Sequence, residues 1–323
     1  MIGHARARAT QRAARMRTDD DVDASERDDI VRLVRRARAC LLEPSIARKV
    51  ELSRETHAWW FGGRETNDGA VRDANDDEAL NAIVENPGRE TLRVVKSSQT
   101  RRIGKGGTLE SRIAILHSLA HIESWAIDLS WDAISRFGLA RDMPKGFYDD
   151  FVTVANDEAR HHELLAGRLK ALGSAYGALE VHDGLWQTAM ETADSLEARL
   201  AVEHCVHEAR GLDVLPQTIG KFRRNGDEES AKLLEDIIYP EEVTHCAAGL
   251  RWFKYLHARD GERTGEEEDV PDGEELETSS VVQAFHAVVR KHFAGALKPP
   301  FNDDARKRAG FNPVWYEPLA VKT

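Results

Sequence analysis

The stretch DEARHHELL (157–165) carries Glu158 and His161 three residues apart, and the stretch EVTH (242–245) repeats this spacing with Glu242 and His245. On a helix, residues three apart lie on one face, so each pair can reach the same metal ion. Both pairs fall inside apolar stripes at helical spacing. The stripes consist of Phe151, Val154, Leu165, Leu169 and Leu172 around the first pair, and of Leu234, Ile238, Gly249, Trp252 and Leu256 around the second. The sequence therefore predicts two helices that each bury a carboxylate and an imidazole.

A single glutamate precedes each pair at a nearly equal distance. Glu123 lies 35 residues before Glu158, and Glu208 lies 34 residues before Glu242. Each lone glutamate also falls inside an apolar helical stripe, and a turn-rich stretch, FGLARDMPKGF or KFRRNGDEE, follows it. This pattern indicates an internal repeat of a helical hairpin. Since the turns lie about midway, folding each hairpin brings its lone glutamate level with its Glu-x-x-His pair.

Four carboxylates and two imidazoles then converge in one core, where uncompensated burial of the charges would be costly. Two divalent cations remove that cost, and one Glu from each of two helices with Glu-x-x-His from each of two others is the ligand pattern of dinuclear carboxylate bundles. Carboxylate oxygens with a minority of imidazole suit two iron ions, or alternatively manganese, better than structural zinc. The predicted metal ligands are Glu123, Glu158, His161, Glu208, Glu242 and His245.

The rest of the chain reads as helical almost throughout, without runs of alternating apolar and polar residues, so the predicted fold class is all-α. A helix break is predicted near Pro44 and an N-cap at Ser25. The predicted organisation is a disordered or targeting tail (1–24), N-terminal helices and an irregular connection (25–107), a four-helix bundle (108–258), an acidic mobile linker (259–280), and a C-terminal helix and tail packed on the bundle (281–323).

The composition narrows the class of protein. The chain has 323 residues, 31% charged residues and a net charge of −11, which favours a soluble protein and disfavours a nucleic-acid partner, despite the basic run at 93–105. No membrane partner is predicted, because no apolar run is long enough to span a bilayer. The three cysteines are widely spaced and are predicted to be reduced thiols. The predicted localisation is cytoplasmic, with a mitochondrial or plastid location as the alternative if the Arg-rich residues 1–18 form a transit peptide.

One face of the first predicted bundle helix carries other potential ligands. His117 and His121 lie one turn apart, but they point away from the Glu123 stripe, together with Trp125, Asp128 and Asp132. We interpret these residues as a polar helix face rather than as part of the metal site.

Four residues close to the predicted ligands leave alternatives open. Asp157 and Glu241 directly precede the two motif glutamates and either hydrogen-bond a ligating histidine or remain solvated. His204, one turn before Glu208, either lines the cavity or is a core histidine with a satisfied hydrogen bond. Pro240 either bends its helix or marks a later helix start.

Several longer motifs extend this pattern: LHSLAHIESWAIDL, FYDDFVTVANDEARHHELLAGRL, EARGLDVLP, EEVTHCAAGLRWF and, near the C-terminus, PFNDDARKRAGF. Together they resemble the uncharacterised ferritin-like family catalogued as domain of unknown function 455, over residues 109–311. The resemblance implies a ferritin-like four-helix bundle with additional N- and C-terminal helices, and no established reaction. The chain departs from the family pattern in an acidic insertion after Asp260, in Pro240, and in His204 and His207.

The leading functional hypothesis is a non-haem dinuclear iron or manganese oxidoreductase that activates dioxygen or a peroxide for an unknown small-molecule substrate. In this hypothesis the two Glu-x-x-His pairs are terminal ligands, and Glu123 and Glu208 bridge the metals or shift between ligation modes as the oxidation state changes. Because the chain has no Cys-x-x-Cys motif, any reductant would come from a partner protein. The alternative is a metal-binding, ferroxidase-like or structural protein that turns over no organic substrate.

Overall fold

A computed structural model describes residues 19–62, 83–90, 92–100, 103–264 and 279–321. Within these ranges the chain is all-helical, as the sequence predicts, and contains no strand. The predicted targeting segment 1–18 and the centre of the predicted acidic linker, 265–278, lie outside them. The helices are α1 (Asp19–Leu42), α2 (Ile46–Phe61), α3 (Leu109–Asp132), α4 (Lys145–Ala171), α5 (Gly184–Met190), α6 (Leu196–Ala201), α7 (Glu208–Arg224), α8 (Glu228–Leu233), α9 (Tyr239–Thr264), α10 (Ser280–His292) and α11 (Asp303–Arg308).

Helix boundaries follow local chemistry. Thr108, Ser195 and Asp227 each accept a hydrogen bond from the backbone N–H three residues further on, which caps α3, α6 and α8. The predicted break near Pro44 is confirmed, since it lies between α1 and α2. Ser25 is not an N-cap, because α1 already begins at Asp19. None of the helices in the described ranges combines the length and the apolar character that a membrane span requires.

Three π-helical segments interrupt the regular helices. Ala133–Gly138 extends α3, Val202–His207 joins α6 to α7, and Leu234–Ile238 joins α8 to α9. The segments 196–224 and 228–264 are therefore continuous helices. Pro240 lies in the first turn of α9, directly after a π-helical segment, and the helix does not begin later. Proline has no backbone N–H to donate. The π-helical turn before it tolerates this loss, because its hydrogen bonds do not follow the α-helical pattern.

Four long helical segments, 109–138, 145–171, 196–224 and 228–264, pack around two apolar clusters. Helix α3 packs on α4, α9 packs on α6, α7 and α4, and α10 covers α6. The first cluster contains Ile127, Phe147, Phe151, Leu200, Leu212 and Leu256 among its buried residues. The second contains Leu116, Leu165, Leu169, Leu215 and Leu234. On α3, α4 and the segment 228–264, the predicted metal ligands lie at or next to the change from the residues of one cluster to those of the other. On α7, Glu208 lies one turn before Leu212, the last residue of the first cluster on that helix.

A long connection joins the two hairpins. Helix α4 ends beside the second cluster, where Leu172 packs, whereas α6 begins in the first cluster with Leu196. The connection 172–195, which includes α5, therefore runs along the length of the helices. The backbone N–H of Val95 donates to the carbonyl of Val181 at 2.8 Å and ties the connection to the segment 92–100. As a result α4 and the segment 196–224 run in the same direction.

The outer face of α3, which the sequence indicates to be a polar helix face, is buried. His117, His121, Trp125, Asp128 and Asp132 do point away from the acidic cluster, but each is at most 6% exposed. Helices α1 and α2, α5 and the connection cover them. The charges are paired, as buried charges must be. Asp128 accepts from Lys49 and Arg89, and Asp132 accepts from Arg136 and Arg199.

Acidification should weaken this covering layer through His117. Its Nε2 accepts hydrogen bonds from the backbone N–H groups of Gly177 (2.9 Å) and Leu179 (3.4 Å), and burial lowers its pKa. A lowered pKa in the folded state means that the stabilisation is complete above pH ~6.5 and is lost as the pH falls below it. The His117→Gln variant keeps an acceptor but cannot take up a proton. Urea unfolding at pH 7.5 and 5.5 should show a smaller loss of stability for the variant than for the wild type; equal losses would contradict this role.

Helix α9 crosses the segment 196–224 at very short range. A Cβ atom added to Gly249 would lie 2.0 Å from the carbonyl oxygen of His204, which is backbone and cannot rotate away. We expect Gly249→Ala to lower the free energy of unfolding by about 3 kcal/mol. Gly167→Ala on α4 is the matched control, because nothing lies within 4 Å of its added Cβ. It should stabilise the protein by about 0.5–1 kcal/mol. Similar effects of the two substitutions in urea unfolding would contradict the close approach.

The C-terminal residues pack on the second hairpin. Arg306 on α11 is 3% exposed and donates from Nε and Nη2 to both carboxylate oxygens of Asp213, at 2.9 and 2.7 Å. Asn302 donates its backbone N–H to the same carboxylate. A bidentate buried pair of this kind fixes the orientation of α11 on α7.

Candidate metal centre

The four long helical segments bring all six predicted ligands together. They form two groups in which the potential ligand atoms lie within 4.8 Å of one another. The first group is Glu123, Glu158, His161 and Glu242, and the second is Glu158, Glu208, Glu242 and His245. Each group takes three residues from one hairpin and one from the other, so Glu158 and Glu242 belong to both. The carboxylates common to both groups are Glu158 and Glu242, whereas the hypothesis from the sequence assigns bridging to Glu123 and Glu208.

The two imidazoles present the same nitrogen to the carboxylates. His161 Nδ1 lies 3.6 Å from Glu123, 3.5 Å from Glu158 and 3.6 Å from Glu242. His245 Nδ1 lies 2.9 Å from Glu158 and 3.8 Å from Glu242. Glu208 is half-buried and the other residues of both groups are buried. The centre is thus an enclosed set of oxygen and nitrogen donors aimed at a common space.

Three of the enclosed potential metal-ligand atoms have no hydrogen-bond partner among the described residues: Glu158 Oε2, His161 Nδ1 and His245 Nδ1. The short contact between His245 Nδ1 and Glu158 is not aligned as a hydrogen bond. Buried polar atoms are almost always satisfied, so three orphans in one place require a partner. Imidazole Nδ1 and carboxylate oxygen are both metal ligands, and a bound cation would satisfy all three atoms.

Crowding of the carboxylates changes where protons reside. Burial and the neighbouring Glu158 raise the pKa of Glu123 well above its usual range, and burial with Glu242 and Glu158 does the same for Glu208. Burial opposes ionisation of Glu158 too, but the hydrogen bond from Glu123 and the charge of His245 outweigh it and lower its pKa. Without metal, the cluster therefore retains protons that reduce its net charge.

The outer nitrogens of the two histidines are held crosswise. His161 Nε2 lies 2.8 Å from the carboxylate of Glu241, and His245 Nε2 lies 3.4 Å from that of Asp157. Each acid therefore holds the histidine of the opposite hairpin. Arg160 contacts both acids and joins the two pairs. Of the alternatives for Asp157 and Glu241, hydrogen bonding to a histidine is the one observed.

This arrangement leaves Nδ1 of each histidine free to face the cluster, because a carboxylate accepting from Nε2–H fixes the tautomer. The sequence did not predict that Arg160 links Asp157 and Glu241. Its position between Glu158 and His161 was the available signal.

Removing either outer carboxylate should affect one histidine more than the other. Asp157→Asn should weaken binding at the group that contains His245, and Glu241→Gln at the group that contains His161, each about 10–100-fold. Competition with a chelator of known affinity would give the two binding constants. The exposed Glu163, on α4 and paired with Arg54 at the surface, supplies the control Glu163→Gln. Unchanged binding constants in both variants would show that the outer carboxylates do not position the ligands.

His204 differs from the expected core histidine with a satisfied hydrogen bond. It is 3% exposed, and its Nε2 has no hydrogen-bond partner in the part of the chain that the structure describes. Burial and the positive charge of Arg199 lower its pKa to about 3, so the imidazole is neutral. Cys205 beside it is part of the apolar core.

Fold and site together define an all-helical protein whose core encloses a cluster of carboxylates and imidazoles able to hold metal ions. The chain belongs to the family described as "Protein of unknown function (DUF455)", which matches residues 42–317. It is also 34% identical over 208 residues to an uncharacterised protein of Haemophilus influenzae, a match that covers 63% of this chain and 66% of the relative. No solved structure matches the chain. The membership of this uncharacterised family, expected from the sequence, is therefore confirmed, and the ferritin-like description of it stays a prediction.

Proposed function

We propose that this protein is a ferritin-like dinuclear metal protein, and that it acts as an oxidoreductase activating dioxygen or a peroxide for a small-molecule substrate. The observation that carries the proposal is the pair of inward-facing Nδ1 atoms, one from each hairpin, which have no hydrogen-bond partner in the described part of the chain and face four glutamates. Burying four carboxylates and two imidazoles without a cation would cost free energy.

The ferritin-like assignment rests on the directions of the four helical segments and on the connection between the two hairpins. The first hairpin ends at one end of the helices, and the connection 172–195 returns to the other end before the second hairpin begins. One long crossover between two helical hairpins, with inward Glu and Glu-x-x-His ligands, is characteristic of ferritin-like folds. The remaining helices and the C-terminal tail pack outside these four segments.

The donor set supports iron, with manganese as the alternative. Four of the six candidate ligands offer hard carboxylate oxygen and two offer imidazole nitrogen. Zinc in structural sites prefers a closed tetrahedral set rich in cysteine, and all three cysteines lie outside both groups.

When bound, the metal pair would supply the redox chemistry. The residues of the chain define its surroundings. Glu158 and Glu242 would each be shared between two metal positions, while Glu123 and Glu208 would each serve one. Asp157 and Glu241 hold the outer nitrogens of the histidines and so orient Nδ1 of each ring toward the metals. The two apolar clusters above and below the site exclude water, and a reductant would reach the site through a partner protein.

The test begins with elemental mass spectrometry of protein purified without added metal. We expect about two iron or manganese ions per chain, and loss of both in a Glu158→Ala, Glu242→Ala double variant. The control replaces two exposed glutamates on the same helical segments, Glu163→Ala with Glu235→Ala, and should keep the metal. Consumption of dioxygen or peroxide in the presence of a chemical reductant is then measured on the loaded protein.

The outcomes distinguish the proposal of a dinuclear metal site from the proposal of an oxidoreductase activity. Wild-type protein that contains no metal and fails to bind added Fe(II) would overturn the dinuclear site. Stable binding of two metal ions without consumption of either oxidant would overturn the oxidoreductase proposal. It would leave the metal-binding or structural alternative.

A further inference from the structure

His204 is a buried imidazole whose Nε2 has no hydrogen-bond partner among the described residues. Its ring packs edge-on against Phe151, with ring centroids 4.8 Å apart at an interplanar angle of 73°. Leaving a buried donor or acceptor unpaired is unfavourable, so an orphan of this kind indicates a missing partner. A hydrophobic ring of the same shape, such as Phe, would fill the space without that cost.

The position of His204 places it directly beside the candidate metal centre. It lies four residues before Glu208 on one continuous helix, so the two side chains share a face about one turn apart. Phe151 lies two turns before Glu158 on α4, so the packed rings form the layer next to the ligands. Glu158 and His245 both act electrostatically on His204.

The backbone around His204 is held firmly. Gly249 on α9 lies against its carbonyl oxygen, so the two helices approach closely at this point. The imidazole sits within the π-helical segment Val202–His207, a type of segment that often occurs at functional sites. The side chain therefore points from a fixed backbone into a crowded, apolar layer.

We propose that His204 Nε2–H donates a hydrogen bond to a small anion bound at the metal pair. This inference rests on the proposed dinuclear site and adds an anion-binding residue to it. A neutral imidazole carries one N–H and one acceptor nitrogen, and an anion at this position selects the tautomer with the proton on Nε2. The matching ligand has an oxygen or nitrogen lone pair and only a few atoms, because Phe151 and the close helix crossing limit the space.

Sodium azide is a suitable probe, since it is a small linear anion whose binding to oxidised, iron-loaded protein can be followed by absorption. His204→Phe removes the donor and keeps a ring, and we expect its azide dissociation constant to rise about tenfold. His204→Gln keeps an N–H donor and should remain within about threefold of the wild type. The control His207→Gln, on the same π-helical segment but bonded to Glu203, should leave azide binding unchanged.

Metal content is measured first in every variant, which keeps the two proposals separable. Wild-type protein without metal refutes the dinuclear site itself. Full metal content in His204→Phe with wild-type azide affinity refutes the anion-binding role and leaves His204 as a packing residue that bonds to water. If His204→Phe does not fold, His204→Asn replaces it, because the shorter amide cannot reach the same point; it too must bind azide more weakly.

Discussion

The Lys49→Met variant should unfold with a free energy lower than that of the wild type by about 3–5 kcal/mol. Lys49 Nζ lies 2.5 Å from Asp128 Oδ1, and both side chains are fully buried. Lys49 also donates to the carbonyl of Leu41, which links α1, α2 and α3 at one point. Methionine fills most of the volume but leaves part of the Asp128 carboxylate without its buried counter-charge.

A double variant distinguishes charge from packing in this prediction. Lys49→Met with Asp128→Asn removes both members of the pair, and should recover part of the lost stability because no uncompensated charge remains. Arg89, which also contacts Asp128, is partly exposed and can turn its guanidinium toward water. Urea unfolding of the wild type, both single variants and the double variant completes the cycle. Additive effects would contradict a direct charge pairing.

Metal loading should raise the stability of the wild type by about 2.7 kcal/mol for each site, at a free metal concentration one hundred times the dissociation constant. The physical reason is that the ligands come from four segments of the chain and converge only in the folded state. The Glu158→Ala, Glu242→Ala variant lacks both shared carboxylates and should show no such increase. Urea unfolding with Fe(II) under anaerobic conditions, beside samples with chelator, measures the difference. An equal increase in the double variant would place the bound metal elsewhere.

The sequence was sufficient to predict the candidate site because its signals are local and repeated. Two Glu-x-x-His pairs and two lone glutamates lie at fixed helical spacing within apolar stripes, and α-helical geometry alone places each pair on one face. The nearly equal separations of Glu123 from Glu158 and of Glu208 from Glu242 indicated the hairpins. The structure brings all six side chains together.

Features that depend on contacts between distant segments were not visible. Asp128 and Asp132 pair with Lys49 and Arg199, which are distant in the sequence, so the buried ionic layer was predicted only as a polar helix face. Glu158 belongs to both groups because of how far the two hairpins are shifted relative to each other along the helix axes, which is the depth at which they dock. No periodicity of one helix specifies that depth, because it is set by packing between helices.

The crosswise holding of the two histidines has a consequence for assembly in the cell. Each hairpin contributes three of the four donors of its own group and borrows the fourth, and its histidine is oriented by an acid of the other hairpin. A nascent chain that has made only the first hairpin thus offers an incomplete set of ligands with a freely rotating imidazole. If the protein binds two metals as proposed, tight capture would wait until both hairpins have been synthesised and docked. Metal acquisition would then be a late step of maturation.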